Sequence, residues 1–274
     1  MKKVIVLLLY SFNLLAQEDT NYITYYNMCD DAMKHIQNKE FKEGLRLFEK
    51  SFRKVKNPNY RHLYYAGRTA FLAEKTEKMY HYFELAYLNG CYYLLEQDTL
   101  IYNSLKHDKR FQELVKNQDS LLAIFDSKIN KKVKCIIDSL ERIDQRIRVE
   151  LNELTDDSEN SYKKDSLWGI DDDKNRFFLD YVKENGYPSY REIGNDFSSI
   201  LLIHCGNYFK EYEDILLMEV RKGNLEPYFF AQIYDRTYGP DNCIYKAYHC
   251  NSYVTKDEII KNRRLIGFET FNLK

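Results

Sequence analysis

The chain has 274 residues, 30% of them charged and 44% hydrophobic, with a formal net charge of -1. This is the balance of an ordinary globular protein, and the absence of a long basic run argues against nucleic-acid binding, which needs clustered Lys and Arg. Only 10 Gly and 4 Pro are present, and aromatic residues reach 15%. Few chain breakers and long amphipathic stretches favour helices, so we expect an all-α fold.

The N-terminus has the three regions of a secretory signal. Lys2 and Lys3 precede the apolar run Val4–Leu9, and the sequence turns polar at Gln17. We therefore predict that residues 1–16 are a signal peptide and that the protein is exported, either periplasmic or secreted. An N-terminal buried helix is the alternative. No later segment is apolar and long enough to predict a membrane span.

Two segments after the predicted signal repeat each other at an offset of 35 residues. Ala32–Ile36 aligns with Gly67–Phe71, and the same offset maps Phe48 onto Phe83. Internal repetition at this period is typical of stacked helical pairs. Lys56–Asn59 supplies the break between the two units.

Small residues surround the aromatic residue of the first copy at regular spacings. Ala32 is followed by Gly44, Phe48 and Ser51, at steps of twelve, four and three residues. Small side chains let two helices approach closely, and an aromatic ring fills the groove above them. Over residues 22 to about 93 this pattern resembles the tetratricopeptide repeat family. The resemblance implies a short concave groove, and the aromatic-rich second helices suggest that it binds a peptide or protein partner.

The next segment is similar to the element that closes many tetratricopeptide arrays. A short helix carrying Leu100 and Leu105 precedes Asp108–Phe111. We expect Leu100, Leu105 and Phe111 to cover the apolar edge of the last repeat. The repeats with their cap would then span residues 22–117.

Residues 118–155 carry a sustained apolar stripe and predict one long amphipathic helix. The stripe steps by threes and fours through Leu122, Phe125, Ile129, Val133, Ile136, Leu140, Ile143, Ile147, Leu151 and Leu154. We expect it to pack within the chain; pairing between chains is the alternative, and it leaves the oligomeric state open. Residues 155–175 predict a polar linker that contains Trp168, with Asp171–Asp173 as a solvated acidic loop rather than a calcium site.

Residues 156–274 predict a second helical domain. Gly186, Gly223 and Pro227 mark helix boundaries, and Asp257–Leu265 predicts the last helix. From about residue 138 the chain also resembles a bacterial family of domains of unknown function. The matching phrases are Asp144–Arg148, Gly186–Tyr190, His204, Asp235–Arg236 and Arg263–Gly267. The resemblance implies a helical domain and brings no known chemistry.

Five polar residues within these phrases are candidate site residues: Asp144, Arg148, His204, Asp235 and Arg236. Brought together, they could bind an anion or perform acid–base catalysis. Structural ion pairs are the alternative, since Asp144 and Arg148 lie four residues apart on one helix face. The sequence leaves open whether this domain is an enzyme, and it favours an exported interaction protein.

Six cysteines are present, and Cys243 and Cys250 are the pair closest in sequence. In an exported chain these two can form a disulfide, with buried free thiols as the alternative. His204, Cys205 and His249 are, like these two cysteines, zinc-ligand types, but no ligand spacing organises them. We expect no metal and no cofactor.

Overall fold

The computed structural model describes residues 22–154, 158–251 and 254–273. Within these residues the chain forms thirteen α-helices and no strand, so the fold is all-α as expected. No helix in the described part of the chain combines the length and apolarity needed to cross a bilayer. The predicted signal segment, residues 1–16, lies outside the described residues.

The first four helices form two hairpins whose members pack along each other. They are α1 (Tyr22–Gln37), α2 (Phe41–Phe52), α3 (Tyr60–Leu72) and α4 (Thr76–Leu88). Short connections of this kind make neighbouring helices antiparallel. Asn59, in the predicted break, caps α3 by accepting a hydrogen bond from the backbone N–H of Arg61 at 2.8 Å.

The helices of each hairpin touch at glycines. A Cβ atom on Gly44 of α2 would lie 2.8 Å from Ile36, and one on Gly67 of α3 would lie 2.6 Å from the ring of Phe83. Phe48 and Phe83 are both fully buried. Small residues and an aromatic ring therefore pack as the sequence spacing predicts, because any larger side chain would push the helices apart.

The closing element differs from the prediction in one residue. Helix α5 (Thr99–Leu105) is capped by Asp98, and Ile101 and Phe111 are the buried residues that cover the repeats. Leu100, which we expected in this role, is 42% exposed. The shift by one position turns the apolar face of α5 toward Ile101, because neighbouring residues on a helix point about 100° apart.

The prediction of one long helix over residues 118–155 is wrong. Helix α6 (Lys109–Asp126) ends before a turn, and α7 (Lys131–Glu153) begins after it. Asn130 causes the break: its side chain accepts a hydrogen bond from the backbone N–H of Val133, and its own N–H donates to Glu192. Asn is a preferred helix N-cap, so it starts a new helix here.

The prediction of a polar linker over residues 155–175 is wrong as well, because the chain is helical from residue 158 onward. Helix α8 (Ser158–Asn185) includes Trp168 and the Asp171–Asp173 triplet, and it packs against α7. It ends where the sequence predicts, before Gly186, which has φ of +86°. Asp171 and Lys174 pair with α7 and so hold this polar sequence in a helix.

Five further helices complete the C-terminal half: α9 (Tyr190–Ile193), α10 (Phe197–His204), α11 (Phe209–Arg221), α12 (Pro227–Tyr238) and α13 (Lys256–Ile266). Pro227 occupies the first turn of α12, and Thr255 forms a capping box with Glu258 at the start of α13. Gly267, with φ of +78°, ends α13. Favourable caps at these ends explain why the boundaries could be predicted.

The described residues bury two hydrophobic cores. One extends from Tyr22 to Leu122, and the other from Val133 to Phe268. The first residues of α7 thus belong to the second core, so the C-terminal unit begins near residue 131 instead of 156. This start lies closer to residue 138, where the family resemblance begins.

Polar side chains join the two halves. Arg191 donates to the carbonyl oxygens of Asn57 at 2.9 Å and Gly223 at 2.8 Å. Arg61 on α3 pairs with Glu226 at 3.1 Å. Because these bonds connect α3, α9 and the start of α12, the C-terminal half supports one side of the repeat surface.

Candidate functional site

An aromatic cavity of about 710 Å³ lies on α3 and the segment after α4. We call it the tyrosine groove, and define it by Tyr60, Tyr64, Tyr65, Tyr92, Tyr93 and Tyr190. A volume of this order can hold a ligand the size of a few amino-acid side chains.

The tyrosines of the groove are held in different ways. Tyr64 is buried and donates a hydrogen bond to Asp98 at 2.8 Å, and its ring meets that of Tyr93 edge to face at 5.0 Å. Burial and the neighbouring Asp98 raise the pKa of the Tyr64 hydroxyl, so it stays protonated. Tyr65 and Tyr93 are 38% and 46% exposed. The groove therefore has a fixed floor and exposed aromatic walls.

Tyr190 closes the end of the groove that faces the C-terminal half. Its hydroxyl donates to the carbonyl oxygen of Gly90, and its ring stacks on Phe125 at 5.9 Å and packs on Tyr60 at 4.8 Å. A Cβ atom on Gly90 would lie 2.6 Å from Phe125. Only glycine allows this close approach, which brings Phe125 under the ring of Tyr190.

Two arginines border the groove. Arg61 is shared between Glu226 and Asp196, at 3.1 and 3.6 Å. Nε of Arg68 lies 2.7 Å from a carboxylate oxygen of Asp98 and forms an ion pair with it. The groove thus combines aromatic area with two guanidinium groups that are paired with carboxylates.

The prediction that the second helices of the repeats supply the aromatic surface is wrong. The aromatic residues of the second helix α4 are buried: Tyr80, Tyr82, Phe83 and Tyr87 are each less than 10% exposed. They fill the core between the hairpins. The groove is instead built by α3, the first helix of its pair, and by residues 91–99.

A second site is the charge cluster, which we define as Asp144, Arg148, Asp171, Lys174, Asn175 and His204. It brings together three of the five residues predicted from sequence. His204 Nδ1 lies 2.9 Å from the Asp144 carboxylate, and Lys174 also bonds to that carboxylate. Arg148 donates to both oxygens of Asp171 at 2.6 and 2.7 Å.

Asp144 is fully buried, while the side chain of His204 is 20% exposed. Burial opposes ionisation of Asp144, but the bonds from His204 and Lys174 prevail and hold the pKa of this carboxyl well below its usual range. The carboxylate orients the imidazole through Nδ1. This pairing is the geometry of a histidine that can act in acid–base chemistry, and also of a structural ion network.

Three members of the cluster were not predicted from the sequence. Asp171, Lys174 and Asn175 lie on one face of α8 at steps of three and four, and the buried residues Phe178 and Val182 continue that face. This helical periodicity is the sequence feature that could have predicted their place in the cluster. The polar and acidic composition of residues 155–175 instead predicts a solvated loop at Asp171, and this prediction is wrong.

Asp235 and Arg236 are not part of the cluster. Asp235 is buried and accepts hydrogen bonds from the backbone N–H groups of Ile244, Tyr245 and Ala247, at 2.7 to 3.2 Å. Arg236 donates to the carbonyl oxygen of Ile203. Asp235 therefore fixes the loop after α12, and it has no partner in common with His204.

The cysteines near these residues have structural surroundings. Cys243 and Cys250 form a disulfide within that loop. Cys205 follows His204, but it is fully buried, and burial raises the pKa of its thiol. A thiol in this state is a poor nucleophile. Among the described residues, no group of three His, Cys, Asp or Glu side chains is arranged to hold a metal ion.

Comparison with family models, curated proteins and solved structures found no match to the chain.

Proposed function

We propose that the protein is an exported peptide- or protein-binding scaffold, and that the tyrosine groove binds an extended segment of the partner. Exposed tyrosines around the buried and hydrogen-bonded Tyr64 carry the proposal. Tyr and Arg are enriched where proteins bind one another, because their rings offer apolar area together with a polar end. The C-terminal half would hold the groove open through Tyr190 and Arg191.

Peptides selected on the purified chain from a displayed library provide the test. Replacing both Tyr65 and Tyr93 by Ala should lower the affinity for the selected peptides at least tenfold, since central aromatic contacts contribute about 2 kcal/mol or more. Tyr162, which is 85% exposed on α8 outside the groove, supplies the matched control. We expect Tyr162→Ala to change affinity less than twofold. Equal losses in the two variants would contradict the proposal.

A second candidate function is acid–base chemistry at the charge cluster. The pairing of His204 with the buried Asp144 favours it. A thermal-shift screen of small molecules against the parent and His204→Gln tests this function. A ligand that stabilises the parent and leaves the variant unchanged would support it. Ligands that stabilise both equally would count against it.

A further inference from the structure

The C-terminal segment of the chain lies along α1. Helix α13 ends at Ile266, and Gly267 turns the chain against α1. A Cβ atom on Gly267 would lie 2.9 Å from the Cβ of Tyr26 and 3.2 Å from the Cα of Ile23. Residues 268–273, which have no regular helix or strand, then follow the helix surface.

Asp30 of α1 binds the main chain of this segment. Its carboxylate accepts hydrogen bonds from the backbone N–H groups of Thr270 at 2.6 Å and Phe271 at 2.9 Å. It also accepts one from the Thr270 hydroxyl at 2.6 Å. The carboxyl group is almost fully buried, and Lys34 pairs with it at 2.8 Å. An irregular segment thus donates three hydrogen bonds to one carboxylate. Receptors hold bound peptides in a similar way.

Other polar side chains of α1 bind α13 and the segment that follows it. Asn27 donates to the carbonyl oxygen of Arg264 at 2.8 Å, and Gln37 donates to that of Phe271 at 3.4 Å. Arg264 binds both oxygens of Asp31, at 2.8 and 2.9 Å. Hydrogen bonds add little net stability each, because water replaces them when they break. Phe268 belongs to the second hydrophobic core, whereas Thr270 and Phe271 are held on α1 mainly by these bonds and can leave its surface while Phe268 stays in place.

This surface adjoins the tyrosine groove. A cavity of about 210 Å³ between α1 and α3 is lined by Asp30, Phe268 and Phe271. Arg61 and Tyr65 line both this cavity and the groove. An extended ligand that continued from the groove toward α1 would therefore meet the C-terminal segment.

We infer that the α1 surface around Asp30 is a recognition site for an extended segment with a hydroxyl residue beside an aromatic one, and that Thr270 and Phe271 are its internal occupants. An external segment of the same chemistry competes with them and extends the ligand that the tyrosine groove holds. The competition rests on the proposed function of the groove, whereas the recognition site itself does not.

A labelled peptide of residues 267–273 tests the inference. It is titrated against the full chain and against a chain that ends at Glu269, which keeps Phe268 in the second core. We expect binding at least tenfold tighter to the shortened chain, whose site is vacant. Asp30→Asn in the shortened chain, or Thr270→Val in the peptide, should lower that affinity at least tenfold. A peptide with Phe268 and Thr270 exchanged is the control of equal composition. Equal binding to both chains, or no effect of Asp30→Asn, overturns the inference.

Hydrogen exchange keeps the test decisive if the shortened chain does not fold. Excess peptide added to the full chain should speed exchange at the amides of Thr270 and Phe271, and leave the amides of α13 unchanged. Unaltered exchange at both amides overturns the inference. Peptides selected on the groove separate the two proposals. If Tyr65→Ala weakens them but the full and shortened chains bind them equally, the groove function stands and the competition fails.

Discussion

His62 is expected to make the fold sensitive to mild acid. It lies on α3 beside the cavity between α1 and α3, and its Nδ1 is 2.8 Å from the hydroxyl of Tyr25. That hydroxyl already accepts the backbone N–H of Asn59 at 2.8 Å, so it donates its one proton to Nδ1. A protonated imidazole would place a second hydrogen in this contact and lose the bond. The folded protein therefore favours neutral His62.

Burial, with a smaller contribution from Arg61, lowers the pKa of His62 from its usual value near 6.5 to about 4. The unfolded chain thus binds a proton between these values that the folded chain does not. The free energy of unfolding is unaffected by this group at pH 7 and falls as the pH drops below 6.5. A difference of this size corresponds to roughly 3 kcal/mol by pH 4, and to about 2 kcal/mol by pH 5.

Urea unfolding of the parent and of His62→Gln from pH 7 to pH 4.5 measures this effect. Gln can still accept the Tyr25 hydroxyl proton but does not titrate, so the variant should lose about 2 kcal/mol less than the parent by pH 5. His107→Gln, at an exposed histidine, should follow the parent. Parallel curves for the parent and His62→Gln would refute the reasoning.

Two further predictions concern packing and charge. Asp144→Asn should lower the free energy of unfolding by about 3 to 5 kcal/mol, because it leaves Lys174 buried without its main counter-charge. The pKa of Asp144 is depressed, so its contribution should be complete above about pH 4 and should decline below it, as acid-dependent urea unfolding can measure. Gly223→Ala should cost at least about 2 kcal/mol, since its Cβ would lie 2.3 Å from the ring of Tyr22 and its φ is +73°. Gly169→Ala on the open face of α8 should instead raise the melting temperature slightly, and an equal loss in both variants would contradict the steric argument.

Local sequence features predicted much of the fold. Gly44 and Gly67 indicated where helices touch, because close packing permits no side chain there. Gly186 and Pro227 indicated helix ends, because their backbone preferences act over a few residues. Asn130 was an equally local signal for the break between α6 and α7, but the continuous apolar stripe concealed it.

Tertiary partners determined what the sequence could not predict. Asp171 and Lys174 stand in a polar stretch that we assigned to a linker, and they are helical and buried because α7 supplies opposite charges. Asp235 is a candidate catalytic residue by type, yet its carboxylate accepts hydrogen bonds from the backbone of residues 244–247. Neither outcome follows from the spacing of residues along the chain.

The position of a bound ligand tests the tyrosine groove most directly. A selected peptide with a photoactivatable group is bound to the parent chain, irradiated and mapped by mass spectrometry. We predict insertion into residues 60–68 and 91–99, which line the groove. The exposed aromatic residues Trp168 and Phe177 on α8 provide the competing surface. Insertion on α8, with none in the groove, would contradict the proposed function.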